Sequence, residues 1–138
     1  MVIPLKGGKP MGITLWIMII AAGLAAMVHI FSFLMESVFW MKPAVMKIFH
    51  QNEESGKATK LLAFNQGFYN LFLSIGTIAG LCLVFNGSTN TGLTIIASCC
   101  SIMLGAGVVL LVSSPRMLRG ALIQGIPPLI FLILLIGR

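Results

Sequence analysis

The chain has 138 residues, of which 58 % are hydrophobic and 9 % charged, with a formal net charge of +6. That length allows one domain, whereas a soluble domain carries about a quarter charged residues. The composition excludes a water-soluble fold for want of polar surface and describes an integral membrane protein.

Four stretches are long enough to span a bilayer, at about 13–40, 59–85, 93–112 and 117–136. Each supplies about 20 or more mostly apolar residues, the length that a hydrocarbon core of ~30 Å requires. Lipid offers backbone groups no partner, so the runs read as α-helices. They do not alternate as barrel strands would. The expected fold class is all-α: a polytopic four-transmembrane-helix bundle, one domain over residues 1–138. Lys6 and Lys9 precede the first run, and "AAGLAA" inside it offers small residues for signal cleavage. The apolar stretch continues to Trp40, far beyond a signal core of about 7–15 residues, so it reads as a retained anchor.

The connections agree with this plan. "KPAVMKIFHQNEESGK" is hydrophilic, "NGSTN" is a turn-forming string and "SSPR" is tight. Short loops make consecutive helices antiparallel neighbours. The first and third connections carry Lys42, Lys47, Lys57, Lys60, Arg116 and Arg119, against Lys6, Lys9 and Arg138 on the other side. Six against three puts the basic loops in the cytoplasm and both termini outside. The positive charge then needs only anionic headgroups. Nucleic-acid binding has no support, because no basic face is interleaved with aromatics.

Trp16 and Trp40 read as interfacial belt residues and give a ruler of about 36 Å at ~1.5 Å per residue. On it Glu36 lies roughly 6 Å and His29 roughly 16 Å in from Trp40. From Lys60, Asn65 and Gln66 lie about 8–9 Å deep and Tyr69 and Asn70 about 14–15 Å; from Met117, Gln124 lies about 10 Å deep. Every strongly polar side chain in the spans falls in one half of the membrane. His29, Ser32, Glu36 and Trp40 share a stripe, and Asn65/Tyr69 and Gln66/Asn70 are i,i+4 neighbours. Glu36 facing lipid costs about 2.5–3.5 kcal/mol or more, so it turns inward and finds partners. The candidates are His29 and the carboxamides of Asn65, Gln66, Asn70 and Gln124. His29 and Glu36 stand two turns apart, about 10 Å, so a water, ligand or amide must bridge them.

Other features read as structural. Gly76-x-x-x-Gly80, Gly105 and Gly107 are close helix contacts. Pro127-Pro128 bends the fourth helix and frees carbonyls near Gln124, or shapes packing. Cys82, Cys99 and Cys100 lack CxxC spacing and are packing residues. His50, Glu53 and Glu54 match no metal-ligand spacing and read as solvated loop. No metal or other cofactor is called for.

The motifs "H-x6-E-x3-W" at 29–40, "LLAFNQGFYN" at 61–70 and "QGIP" at 124–127 resemble a family of small bacterial four-helix membrane proteins, domain of unknown function 1304. The resemblance puts His29, Glu36, Trp40, Asn65, Gln66, Gly67, Tyr69, Asn70, Gln124 and Pro127 at its signature positions. It implies a multi-pass protein of a bacterial inner (plasma) membrane and brings no activity. Ser37 and Val38 stand where methionine and phenylalanine are common.

Three functions fit. The leading one is binding or transport of a small lipophilic or cationic molecule in a pocket lined by His29, Glu36, Trp40, Asn65, Gln66, Tyr69, Asn70 and Gln124. Trp40, Tyr69 and Phe68 would offer aromatic faces to a cation, and so small a unit would work as a homo-oligomer or in a membrane complex. The second is a proton-transfer or isomerase-type enzyme using His29 and Glu36 on a lipophilic substrate. The third is an accessory subunit, with the polar cluster as interhelical glue.

Overall fold

The computed structural model describes residues 12–138. Lys6 and Lys9, which enter the orientation argument, lie outside them. The described chain is helical: α1 (Ile13–Phe33), α2 (Pro43–Ile48), α3 (Glu53–Phe85), α4 (Thr89–Ser113) and α5 (Leu118–Ile136). A π turn, Leu34–Val38, continues α1, and a 3-10 turn, Pro115–Met117, leads into α5. Four helices are long and apolar enough to cross a membrane: Ile13–Val38, Glu53–Phe85, Thr89–Ser113 and Pro115–Ile136. They close into a ring in which α1 packs on α3, α3 on α4, α4 on α5 and α5 on α1.

The expected boundaries shift where local chemistry outweighs hydropathy. The first helix ends at Val38, so Trp40 stands beyond it. Trp40 is not an outward belt residue. Its indole is buried against Val45 and Ala63, packs on Phe49 with ring centroids 5.0 Å apart and the rings tilted by 58°, and donates from Nε1 to the Gly56 carbonyl at 2.9 Å. The second spanning helix starts at Glu53 rather than near 59. Asn52 Oδ1 accepts from the Ser55 N–H at 2.8 Å, and Ser55 Oγ accepts from the Asn52 N–H at 3.0 Å. This reciprocal cap, with Glu53 and Glu54 at the positive end of the helix dipole, starts a helix in a polar stretch.

The loop read as hydrophilic contains α2, which Pro43 opens at a first-turn position where its missing N–H costs nothing. α2 closes with the Gln51 N–H bonded to Met46 O at 2.8 Å and the His50 N–H to Lys47 O at 3.2 Å. His50 sits there at φ 53°, a conformation that glycine adopts more readily. α3 ends the same way with a glycine: Gly87 at φ 90°, Ser88 N–H to Leu83 O at 2.9 Å and Gly87 N–H to Val84 O at 3.2 Å. That reverses the chain into α4, which begins at Thr89 instead of 93.

Small residues set the packing distances. Ala21, Ala22, Ala25 and Ala26 form the inner stripe of α1, against a core that includes Met18, Ile96, Met103 and Phe131. α3 and α4 approach backbone to backbone: a Cβ on Gly92 would stand 2.5 Å from the Gly80 carbonyl, and one on Gly80 2.9 Å from the Gly92 carbonyl. Gly76 faces the Cys99 sulfur, and Gly107 faces Ala121 and Gly125. Gly105 corrects its expectation, since nothing lies within 4 Å of a Cβ there. α5 runs unbroken through Pro127 and Pro128, of which Pro128 is fully buried. The missing N–H groups withdraw the helical donors of Ile123 O and Gln124 O.

Gly92→Val should therefore lower stability by about 1–3 kcal/mol through overpacking. Thermal unfolding in mild detergent checks this, with Gly105→Val expected to change little.

Candidate functional site

The site begins where α1 loses its α-helical register. Phe39 N–H bonds to Leu34 O at 2.9 Å, five residues back, and the widened turn re-aims two consecutive polar side chains. Glu36 Oε2 accepts from Asn70 Nδ2 at 2.8 Å, and Ser37 Oγ donates to the Phe64 carbonyl at 2.8 Å. Both partners lie on α3. Gly67 sits between them and makes the approach possible: a Cβ there would meet the Ser37 side chain and stand 3.1 Å from the Ser37 nitrogen.

Below this contact the polar groups pair among themselves. Buried Ser74 shares its hydroxyl proton between Asn70 O at 2.9 Å and Ala26 O at 3.1 Å, a direct bond from α3 to α1. His29 is fully buried, and its Nδ1 lies 3.0 Å from Ala25 O. A carbonyl only accepts, so Nδ1 carries the proton and, in the neutral ring, Nε2 presents a lone pair. Nε2 is buried and has no hydrogen-bond partner among the described residues.

Two cavities adjoin the π turn, and Glu36 lines both. The first, of about 510 Å³, is lined by Glu36, Trp40, Phe49, Gln51, Thr59, Leu62, Ala63, Asn65, Gln66 and Tyr69. It thus combines one carboxylate, three aromatic rings and three carboxamides. The second, of about 700 Å³, opens between α1, α2 and α5. Ser32, Glu36 and Gln124 supply its polar inner groups, Val28, Phe31, Met35 and Ile123 its apolar walls, and Lys47, His50, Arg116 and Arg119 its charged and polar outer part.

The sequence-derived set is thereby divided. Glu36, Trp40, Asn65, Gln66 and Tyr69 meet in the first cavity, and Gln124 meets Glu36 in the second. Asn70 binds Glu36 directly. His29 lines neither cavity, and its contact is with Ala25 rather than Glu36. Phe68 packs among Phe33, Phe64 and Phe72 at centroid distances of 5.2, 4.9 and 6.2 Å, and Phe49 takes the place expected for it. Phe49 and Gln51 went unread because their segment looked like solvated loop. The i, i+3, i+4 spacing of Val45, Ile48 and Phe49 was the signal of a short helix with one apolar face. Ser37 and Ser74, one of them a departure from the family pattern, carried no signal of their own. Among the described residues no group of three His, Cys, Asp or Glu side chains is placed to hold a metal ion.

The tight fit at Gly67 has a measurable consequence. Gly67→Ala should displace the π turn, loosen the Glu36–Asn70 bond and cost about 1–3 kcal/mol. The check is a fall in melting temperature that Ser37→Ala partly reverses, because Ser37 Oγ is the atom nearest the added methyl.

No curated protein and no solved structure matches the chain. A family model described as "Protein of unknown function (DUF1304)" matches residues 23–136, which include α3, α4, α5 and every cavity-lining residue named above. The chain belongs to that family.

Proposed function

We propose that the protein binds a small lipophilic cation within the membrane and passes it across, with Glu36 as the counter-charge. The observation that carries this reading is the first cavity's composition: the Glu36 carboxylate shares it with the rings of Trp40, Phe49 and Tyr69. Aromatic faces and a carboxylate together favour a desolvated cation, and Gln51, Asn65 and Gln66 add neutral dipoles to orient it. An ionisable side chain within a spanning helix is itself a functional hypothesis, because lipid alone does not repay its burial. Glu36 also lines the second cavity, but Lys47, Arg116 and Arg119 line that one too and repel a cation, so the ligand's approach is through the first.

His29 lies outside both cavities, which is why binding is preferred to proton-transfer catalysis. The reading places the protein in a bacterial plasma membrane, with the end bearing Lys42, Lys47, Lys57, Lys60, Arg116 and Arg119 in the cytoplasm. It includes self-association. Asn65 and Gln66 face outward from α3, as does Tyr69, 62 % exposed, and polar groups so placed gain partners from a neighbouring copy.

Trp16 and Trp40 are the two tryptophans, so a Trp16→Phe chain reports on Trp40 alone. Titrating it with a tetraalkylammonium ion should quench that fluorescence saturably. Glu36→Gln should weaken binding at least tenfold, about 1.4 kcal/mol, and abolish flux of the ion into proteoliposomes. Equal affinity and flux in wild type and Glu36→Gln would refute the proposal.

A further inference from the structure

The second cavity carries an inference independent of the cation site. Its outer part gathers Lys47 from α2, Arg116 from the turn before α5 and Arg119 from the first turn of α5. The chain has three acidic residues, Glu36, Glu53 and Glu54. Among the described residues the salt bridge joins Glu53 to Lys57, and Glu36 is bonded to Asn70. The three cavity cations therefore have no carboxylate partner, and none of the residues outside the described range is acidic. Converging like charges repel, and an arrangement that holds them around one opening is relieved by an anion. The N-terminus of α5 reinforces this. It has no acidic residue in its first turn and no side-chain cap, while Arg119 and Gly120 of that turn line the cavity. The partial positive charge of the helix end thus adds to that of the side chains.

The rest of the cavity selects which anion. Val28, Phe31, Met35, Leu110 and Ile123 give its inner part an apolar wall beside Ser32, Glu36 and Gln124, and the Glu36 carboxylate repels an anion from that depth, so a hydrophilic anion would fill only the mouth. Arg116 and Arg119 stand in the first residues of the spanning segment Pro115–Ile136 and Lys47 on the short α2 beside it, and basic pockets between helices at a membrane surface bind anionic lipids. A volume of about 700 Å³ suits a headgroup with the first part of an acyl chain. We propose that the opening between α1, α2 and α5 is a seat for one anionic phospholipid of the adjoining leaflet, its phosphate held by Lys47, Arg116 and Arg119 and its chain laid against Phe31, Met35 and Ile123. The lipid then fixes α2, whose Lys47 and Ile48 both line the cavity, against α1 and α5.

The test is native mass spectrometry of the full chain in mild detergent, titrated with phosphatidylglycerol or phosphatidylcholine of identical acyl chains. One phosphatidylglycerol per chain should be retained at concentrations where phosphatidylcholine gives no adduct. Arg116→Gln with Arg119→Gln should weaken retention at least tenfold, Lys47→Gln should weaken it severalfold if the double variant does not fold, and Arg138→Gln, beyond the far end of α5, should leave it unchanged. Asn65→Ala, at a residue that lines the first cavity and not the second, should leave it unchanged, which separates this result from failure of the cation proposal. Equal retention of phosphatidylcholine, an equal loss in Arg138→Gln, a loss in Asn65→Ala, or displacement by millimolar inorganic phosphate would each overturn the assignment.

Discussion

Two hydrogen bonds, Glu36 to Asn70 and Ser37 to the Phe64 carbonyl, tie the end of α1 to α3 at a point where Gly67 leaves no room for a side chain. The backbone there widens from an α to a π turn because consecutive residues must both reach α3, which an α-helix spreading neighbours by about 100° does not permit. Much of the site follows from this constraint. The turn sets Glu36 on the walls of both cavities, ends the helix two residues before Trp40, and releases the chain so that α2 can fold back. The Trp40 bond to Gly56 and its packing on Phe49 then fasten that returning segment onto α3. Polar bonding inside the bundle and cavity formation at its end are consequences of one local change in helical pitch.

The two cavities share Glu36 and Phe49 and differ in the rest of their linings. The first is ringed by aromatics and amides and offers negative charge to its contents; the second is apolar within and cationic at its outer part. A ligand attracted to one is repelled by the outer part of the other. Charge is thereby sorted within a few helical turns in a chain that has three acidic residues.

Hydropathy made the four spans legible, because lipid leaves a backbone no alternative to the helix. That Glu36 finds a polar partner was legible too, since one buried charge among several amides at similar depth must find one of them, but His29, Asn65, Gln66, Asn70 and Gln124 all stood open and only the packing of α3 selects Asn70. The start of α3 was not, because the Asn52–Ser55 cap, rather than apolar content, places it. α2 was hidden by the polarity of its neighbours, although Val45, Ile48 and Phe49 carried its pattern. The π turn has no residue signature: it exists because of what α3 presents to it, which no window along α1 contains. His29 illustrates the same limit, since helical phase put it on the stripe of Glu36, while burial in the core and a bond to its own helix keep it out of the cavities.

The lengths of the helices give the molecule a direction. α3 has 33 residues, about 50 Å of helix, whereas α5 has 19, about 28 Å. A hydrocarbon layer of ~30 Å takes up the second with nothing to spare, whereas about 20 Å of the first, just under four turns, is left over. The surplus lies at the N-terminal end of α3, where the capped, charged residues 52–60 are, because the turn after Phe85 joins α4 at once. The bundle thus ends nearly level at the Gly87 turn and extends further at its opposite end. At that longer end α2 and the Trp40 contact border both cavities, so a molecule that reaches either one meets the chain beside its basic connections and not at the Gly87 turn.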